Sequence, residues 1–285
     1  MVVLLPQSTV PTERRSSAQR RSSAAAAPRM AFKPAPSAPA IASLVALAAD
    51  DLSVPALRSA GVEASPALFL AAMSACSRWQ VALRLLEGMR ACELEPSTRA
   101  YNVAMGACVK GGNWAAALDT FDELPEPDVV SYGTAINACA RGQRWQTALA
   151  LLGRMRTCRD GPQPNEFVLS AAINACGAAG QWQEALKLLD DVQGVPPHQR
   201  VYNAAVAACD KGGQPEAAVR LLRRMRAAGV ELDVFSYSSA MSACCRVPRA
   251  ADGSVDASRG VAWRTALRLL RTMRGTGVRP NAYTY

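Results

Sequence analysis

The chain is poor in the side chains that hold metals at short range. Histidine occurs once in 285 residues, as His198, and none of the nine cysteines forms a C-x₂-C pair. Metal sites draw their ligands from positions a few residues apart or from facing turns, so no metal and no other cofactor is expected. Long apolar runs are missing too. None approaches the roughly 18 residues needed to cross a bilayer, and the chain reads as soluble. Acidic residues are nearly absent from the first 40 positions, where Glu13 stands against six basic side chains, Arg14, Arg15, Arg20, Arg21, Arg29 and Lys33. That stretch is rich in Ala, Ser, Pro and Arg. It has too little apolar surface to fold alone, and its composition is that of an organellar transit peptide. "MVVLLP" is too short for a secretory core. Residues 1–40 are therefore expected to be a disordered targeting segment, with the chloroplast as destination and the mitochondrion as the alternative. The remaining 245 residues carry 26 basic and 22 acidic side chains, so most of the net charge of +9 belongs to the tail. Net charge alone argues only weakly for a polyanionic partner.

What the chain does contain is a repeated spelling. "INAC" ends at Cys139 and again at Cys176, and the variants "MSAC", "MGAC", "VAAC" and "MSAC" end at Cys76, Cys108, Cys209 and Cys244. The intervals are 32, 31, 37, 33 and 35 residues. A period in the mid-thirties marks an array in which each unit is one supersecondary element. Within a unit, Tyr132, Ala135, Ile136 and Cys139 share one helical face. Arg141-Gly142-Gln143 then breaks the pattern, with Gly142 suited to the left-handed conformation that ends helices. Trp145, Ala148, Leu149, Leu152 and Met155 continue along a second helix. Its start recurs as Trp79, Trp114, Trp182 and Trp263, with Pro215 in the fifth unit, where the first helical turn has no donor to lose.

Six units of 31–37 residues are thus expected over 66–285, with 41–65 a degenerate cap. "RVPRAADGSVDASRGVA" reads as a loop inserted before Trp263, on its Pro, Gly, Ser and Asp content. The chain stops at "AYTY", which opens a seventh unit and suggests a fragment. In stacked units the cysteines fall about 10 Å apart, too far for disulfides, and act as small packing residues. The tryptophans are expected in the core.

A two-helix unit of this length is shared by tetratricopeptide and pentatricopeptide proteins. "STRAYNVAMGAC", "PDVVSYGTAINAC", "RVYNAAVAAC", "LDVFSYSSAMSAC" and "RPNAYTY" each place an aromatic residue just before a small polar residue or Gly. With the ending at Met273–Asn281, this resembles the pentatricopeptide family. The Trp and Gly-x-x-Tyr of a tetratricopeptide first helix are absent.

The resemblance implies an all-α, right-handed superhelical solenoid whose first helices line a groove for single-stranded RNA. In that family the residue after the aromatic and the last residue of the unit together read one base. Carried over, the readers are Asn102 with Asp128, Gly133 with Asn165, Ser170 with His198, Asn203 with Asp233, and Ser238 with Asn281. The Asn/Asp pairs resemble uridine readers and Ser238/Asn281 an adenine reader. Gly133/Asn165 and Ser170/His198 depart from the common combinations, and Leu70 in the first unit cannot hydrogen-bond. The implied site is U-N-N-U-A. Asn203 is expected to lie in the groove clear of the next helix. Arg99, Val130, Phe167, Arg200 and Phe235 fall where the family clamps bases, with side chains suited to stacking. Lys110, Arg141 and Lys211 fall where it contacts phosphates. No deaminase motif is present, since one His cannot supply it, and no nuclease domain follows the repeats. The expected role is RNA binding in organellar RNA processing, stability or translation, not catalysis. A protein-binding scaffold of tetratricopeptide type is the alternative.

Overall fold

The computed structural model describes residues 37–50, 63–157, 161–191, 198–246, 257–282 and 284. They belong to a unit running from Pro36 to Tyr285, and residues 1–35 lie outside the described residues. Most of the targeting segment, part of the expected cap and the middle of the insertion after Cys245 lie outside them as well.

Thirteen helices and no strand occur among the described residues. The first, α1 (Ala38–Asp50), starts inside the stretch assigned to the tail and packs on the first repeat, burying Leu44 and Ala48 beside Leu68 and Phe69. Six helix pairs follow. They are α2 (Pro66–Ala75) with α3 (Trp79–Ala91), α4 (Thr98–Lys110) with α5 (Trp114–Asp122), and α6 (Val129–Arg141) with α7 (Trp145–Thr157). Then come α8 (Glu166–Ala178) with α9 (Trp182–Asp190), α10 (Gln199–Lys211) with α11 (Pro215–Ala227), and α12 (Val234–Cys245) with α13 (Ala257–Gly275). Each helix packs on its neighbours in an all-α solenoid of stacked pairs.

Every first helix begins under a side-chain cap. Ser65, Ser97, Asp128, Asn165, His198 and Asp233 each accept a hydrogen bond from a backbone N–H of the first turn. A cap of this kind contributes about 1 kcal/mol. Inside, Tyr101, Tyr132, Tyr202 and Tyr237 are buried at one end of their helices, and Cys108, Cys139, Cys176, Cys209 and Cys244 at the other. Small residues between them let successive first helices approach closely. A Cβ on Gly177 would lie 2.8 Å from that of Ala208.

Three expectations need correction. Gly142 does not take the left-handed conformation, as its φ is −83° and Gln143 turns the chain instead at φ 56°. Gly142 is needed for a different reason. A Cβ there would lie 2.6 Å from the Trp114 ring, and Gly111 and Gly212 meet Trp79 and Trp182 in the same way. Consequently Trp79, Trp114, Trp145 and Trp182 are only partly buried, stacked at the edge of the array instead of inside it. The last second helix begins at Ala257, six residues before Trp263, and leaves Trp263 54% exposed. The helix takes in "ASRGVA", which the loop reading had taken whole.

Candidate functional site

The two Asn/Asp pairs are built alike. Asp128 caps α6, with its Oδ1 accepting from the Ser131 N–H at 2.7 Å. The Ser131 hydroxyl, fully buried, accepts from the Asp128 N–H at 3.3 Å and lies 2.7 Å from both Asn102 Oδ1 and Asp128 Oδ1, between which it shares its one proton. Asn102 Nδ2 in turn donates to Asp128 Oδ1 at 3.1 Å. At the later site Asn203 Nδ2 donates to both Asp233 oxygens at 3.3 and 3.1 Å, and the buried Ser236 hydroxyl lies 2.5 Å from Asn203 Oδ1. Asn203 is therefore tied to the next helix, contrary to the expectation that it stands clear.

The consequence is a fixed amide. The serine hydroxyl holds the oxygen end and the carboxylate the nitrogen end, so the side chain cannot flip. An amide has two N–H donors and two acceptor lone pairs. Each network uses one of each kind and leaves a donor and an acceptor side by side. Burial pushes the Asp128 carboxyl up, but bonds from the Ser131 side chain and backbone, from Asn102 and from the Val130 N–H outweigh it and lower its pKa. The cap is thus an anion at neutral pH, the form that can only accept.

The other units are built differently. Asn165 caps α8 by accepting from the Val168 N–H at 3.0 Å, but Gly133 brings no side chain to it. The Phe167 ring occupies that space, 2.5 Å from where a Cβ on Gly133 would be. Ser170 is buried and donates to the Phe167 carbonyl at 2.9 Å, while His198 Nδ1 accepts from the Arg200 N–H at 3.3 Å. Neither bonds to the other. Ser238 donates to the Phe235 carbonyl at 3.1 Å, and exposed Asn281 lies in the chain after α13.

Of the stacking set, Phe167 and Arg200 are brought together, the guanidinium 4.9 Å from the ring centre. Val130 and Phe235 remain 55% and 52% exposed, unusual for large apolar side chains. Arg99 is exposed as well. Arg200, Asn203, Phe235 and His198 share one pocket of about 310 Å³ with Asn174. Lys110, Arg141 and Lys211 end α4, α6 and α10, exposed.

Comparison with known proteins agrees with this geometry. The PPR repeat model matches residues 99–127, 130–159 and 167–194, and the PPR repeat family model matches 197–246. The crystal structure of the pentatricopeptide repeat protein PPR10 from maize is similar at 26% identity and a TM-score of 0.59. The likeness covers 86% of this chain but 35% of the maize chain. The chain belongs to the pentatricopeptide repeat family. PPR10 in complex with an 18-nt psaJ RNA element is similar in fold at 23% identity, over 88% of this chain and 42% of that one, with a TM-score of 0.53. The pentatricopeptide chain described here therefore spans well under half the length of these structures. No curated protein matches it.

Among pentatricopeptide units of this chain, two carry a component that sequence reasoning missed. Ser131 and Ser236 sit three residues after the capping aspartates, in "DVVS" and "DVFS". Asp-x-x-Ser before an apolar run is a capping box, and that signal was available. What it did not reveal is that the same hydroxyl reaches the preceding unit's asparagine.

Proposed function

We propose that this pentatricopeptide protein is a sequence-selective binder of single-stranded RNA, acting on organellar RNA processing, stability or translation, with the chloroplast as its compartment. The observation that carries the proposal is the locked Asn/Asp pair, built twice with the same serine. A donor and an acceptor in fixed order suit the uridine edge, which offers N3–H beside a carbonyl. Cytidine offers the reverse order, and an amide that cannot flip rejects it. The exposed Val130 and Phe235 and the Phe167–Arg200 stack supply surfaces on which bases sit, each worth about 1–3 kcal/mol. The pairs Gly133/Asn165 and Ser170/His198 lack a comparable network and contribute less selectivity.

The test is binding of U-N-N-U-A RNA with each of the four bases at its fourth position. The wild type prefers uridine there by about 1–3 kcal/mol, the cost of one mismatched contact. Asn203→Thr moves the preference to guanosine, by family resemblance, and leaves the first position unchanged. Equal affinity of the wild type for all four RNAs would overturn the assignment.

A further inference from the structure

The second helices end in a ridge of charge whose sign alternates from unit to unit. Arg90 near the end of α3 meets Glu123 beyond α5 at 2.7 Å, and Asp122 meets Arg154 of α7 at 4.0 Å. Arg156 meets Asp191 beyond α9 at 2.7 Å, and Asp190 pairs with Arg224 of α11. Units one, three and five are thus basic at this position, and units two and four carry adjacent carboxylates. Each pair alone is worth little, because it is exposed, but the order is regular.

The sixth unit breaks that order. In register with Arg223-Arg224-Met225-Arg226 it places Arg271-Thr272-Met273-Arg274. In register with the carboxylate pairs of the second and fourth units the sixth has Arg271 and Thr272, so the acid the pattern calls for is missing. A cavity of about 850 Å³ opens between α11 and α13 at this seam. Arg220, Arg223, Arg226 and Arg268 line it against one carboxylate, Glu216. Among the described residues Arg223, Arg226 and Arg268 form no ion pair. Below the charges the lining is apolar, with Leu222, Leu232 and Leu269.

We propose that this seam docks an acidic helical segment of a partner protein. The segment presents adjacent carboxylates to the arginines, as the ends of α5 and α9 do within the chain, and inserts apolar side chains into the cleft. Charge complementarity selects an anion. The apolar lining favours a protein over a phosphate backbone, which has no use for it. The seam is also formed by second helices, whereas the Asn/Asp pairs stand on first helices. An interface of this size combines a desolvated apolar centre with a charged rim.

The experiment uses the full chain and a fluorescent peptide of residues 182–192, WQEALKLLDDV, whose carboxylates meet Arg156 and Arg224 in the protein itself. The wild type is expected to bind it, and the Asp190→Asn/Asp191→Asn peptide about tenfold more weakly. Arg223→Glu/Arg268→Glu, on an exposed rim, weakens binding of the acidic peptide by about the same factor. The peptide with Lys at both acidic positions restores it. Failure of the folded protein to bind the peptide, or indifference to the double reversal, overturns the proposal. So does a loss of single-stranded RNA binding on double reversal with no change in peptide binding, which would give the seam to nucleic acid. A gain in peptide affinity on Asp252→Asn/Asp256→Asn would show that the chain's own insertion fills the seam, and overturns it equally.

Discussion

Ser236 illustrates how much one hydroxyl decides. It caps α12 by capping box, orients Asn203 and is fully buried. Ser236→Ala removes the buried hydroxyl that reaches Asn203 Oδ1 and Asp233 Oδ1, which costs about 1 kcal/mol in denaturant unfolding. It also removes one of the two holds on the amide and leaves the Asp233 carboxylate, so discrimination of uridine from cytidine at that position weakens while affinity for uridine falls less. Asn203→Thr is not neutral for the fold, since it removes both bonds to Asp233. Its base preference must be read as a ratio between RNAs.

Asp128 adds a pH dependence of known sign. Its pKa is lowered in the fold, so its stabilising contribution is present above the ordinary aspartate value of about 3.9 and is lost as pH falls through the lowered one. Asp128→Asn should flatten the unfolding profile below about pH 4 and lower stability at pH 7, where the lost contribution is fully present. The repeat cysteines are governed chiefly by burial. It pushes Cys108, Cys139, Cys176, Cys209 and Cys244 up to about 11. A thiol reagent at about pH 8 should modify exposed Cys245 quickly and these five only on unfolding, a difference readable by mass spectrometry.

At the scale of the element, the contact between a cap glycine and the preceding unit's tryptophan fixes how pairs stack. Gly142→Ala forces a methyl to 2.6 Å from the Trp114 ring at a backbone conformation that alanine tolerates. Its cost is therefore steric, about 1–3 kcal/mol. Trp114→Ala should recover most of that cost in the double variant, because the clash needs both partners. Gly112→Ala differs, since φ is 78° there with open space around it. The strain is then in the backbone, and Trp114→Ala should not relieve it. Thermal unfolding of the four variants separates the two cases.

At the scale of the molecule, the described units carry few free cations toward RNA. Lys110, Arg141 and Lys211 are the phosphate contacts expected of the first helices. Three contacts to a single strand give a slope of log affinity against log salt of about −2. Binding by this segment should lie in the micromolar range, with two selective positions and three permissive ones. A titration of U-N-N-U-A RNA at several salt concentrations checks both, and salt-independent nanomolar binding would contradict the charge argument.

Much of this architecture was legible in the sequence. The 31–37-residue period, the alternation of two helical faces and the buried cysteines all follow from side-chain size and hydrophobic spacing, which act locally and repeat. The positions of Asn102, Asp128, Asn203 and Asp233 were legible too, because register within a repeat is a property of the chain. Their mutual contact was not. It joins residues 26 and 30 apart through a serine whose reach depends on how closely one first helix stacks on the next. For the same reason a glycine read as a turn residue proved to be space for a tryptophan of the preceding unit. The charge alternation of the second helices was visible as letters, but only stacking showed which letters face each other. Local pattern determined the units, and the packing distance between units decided which side chains meet.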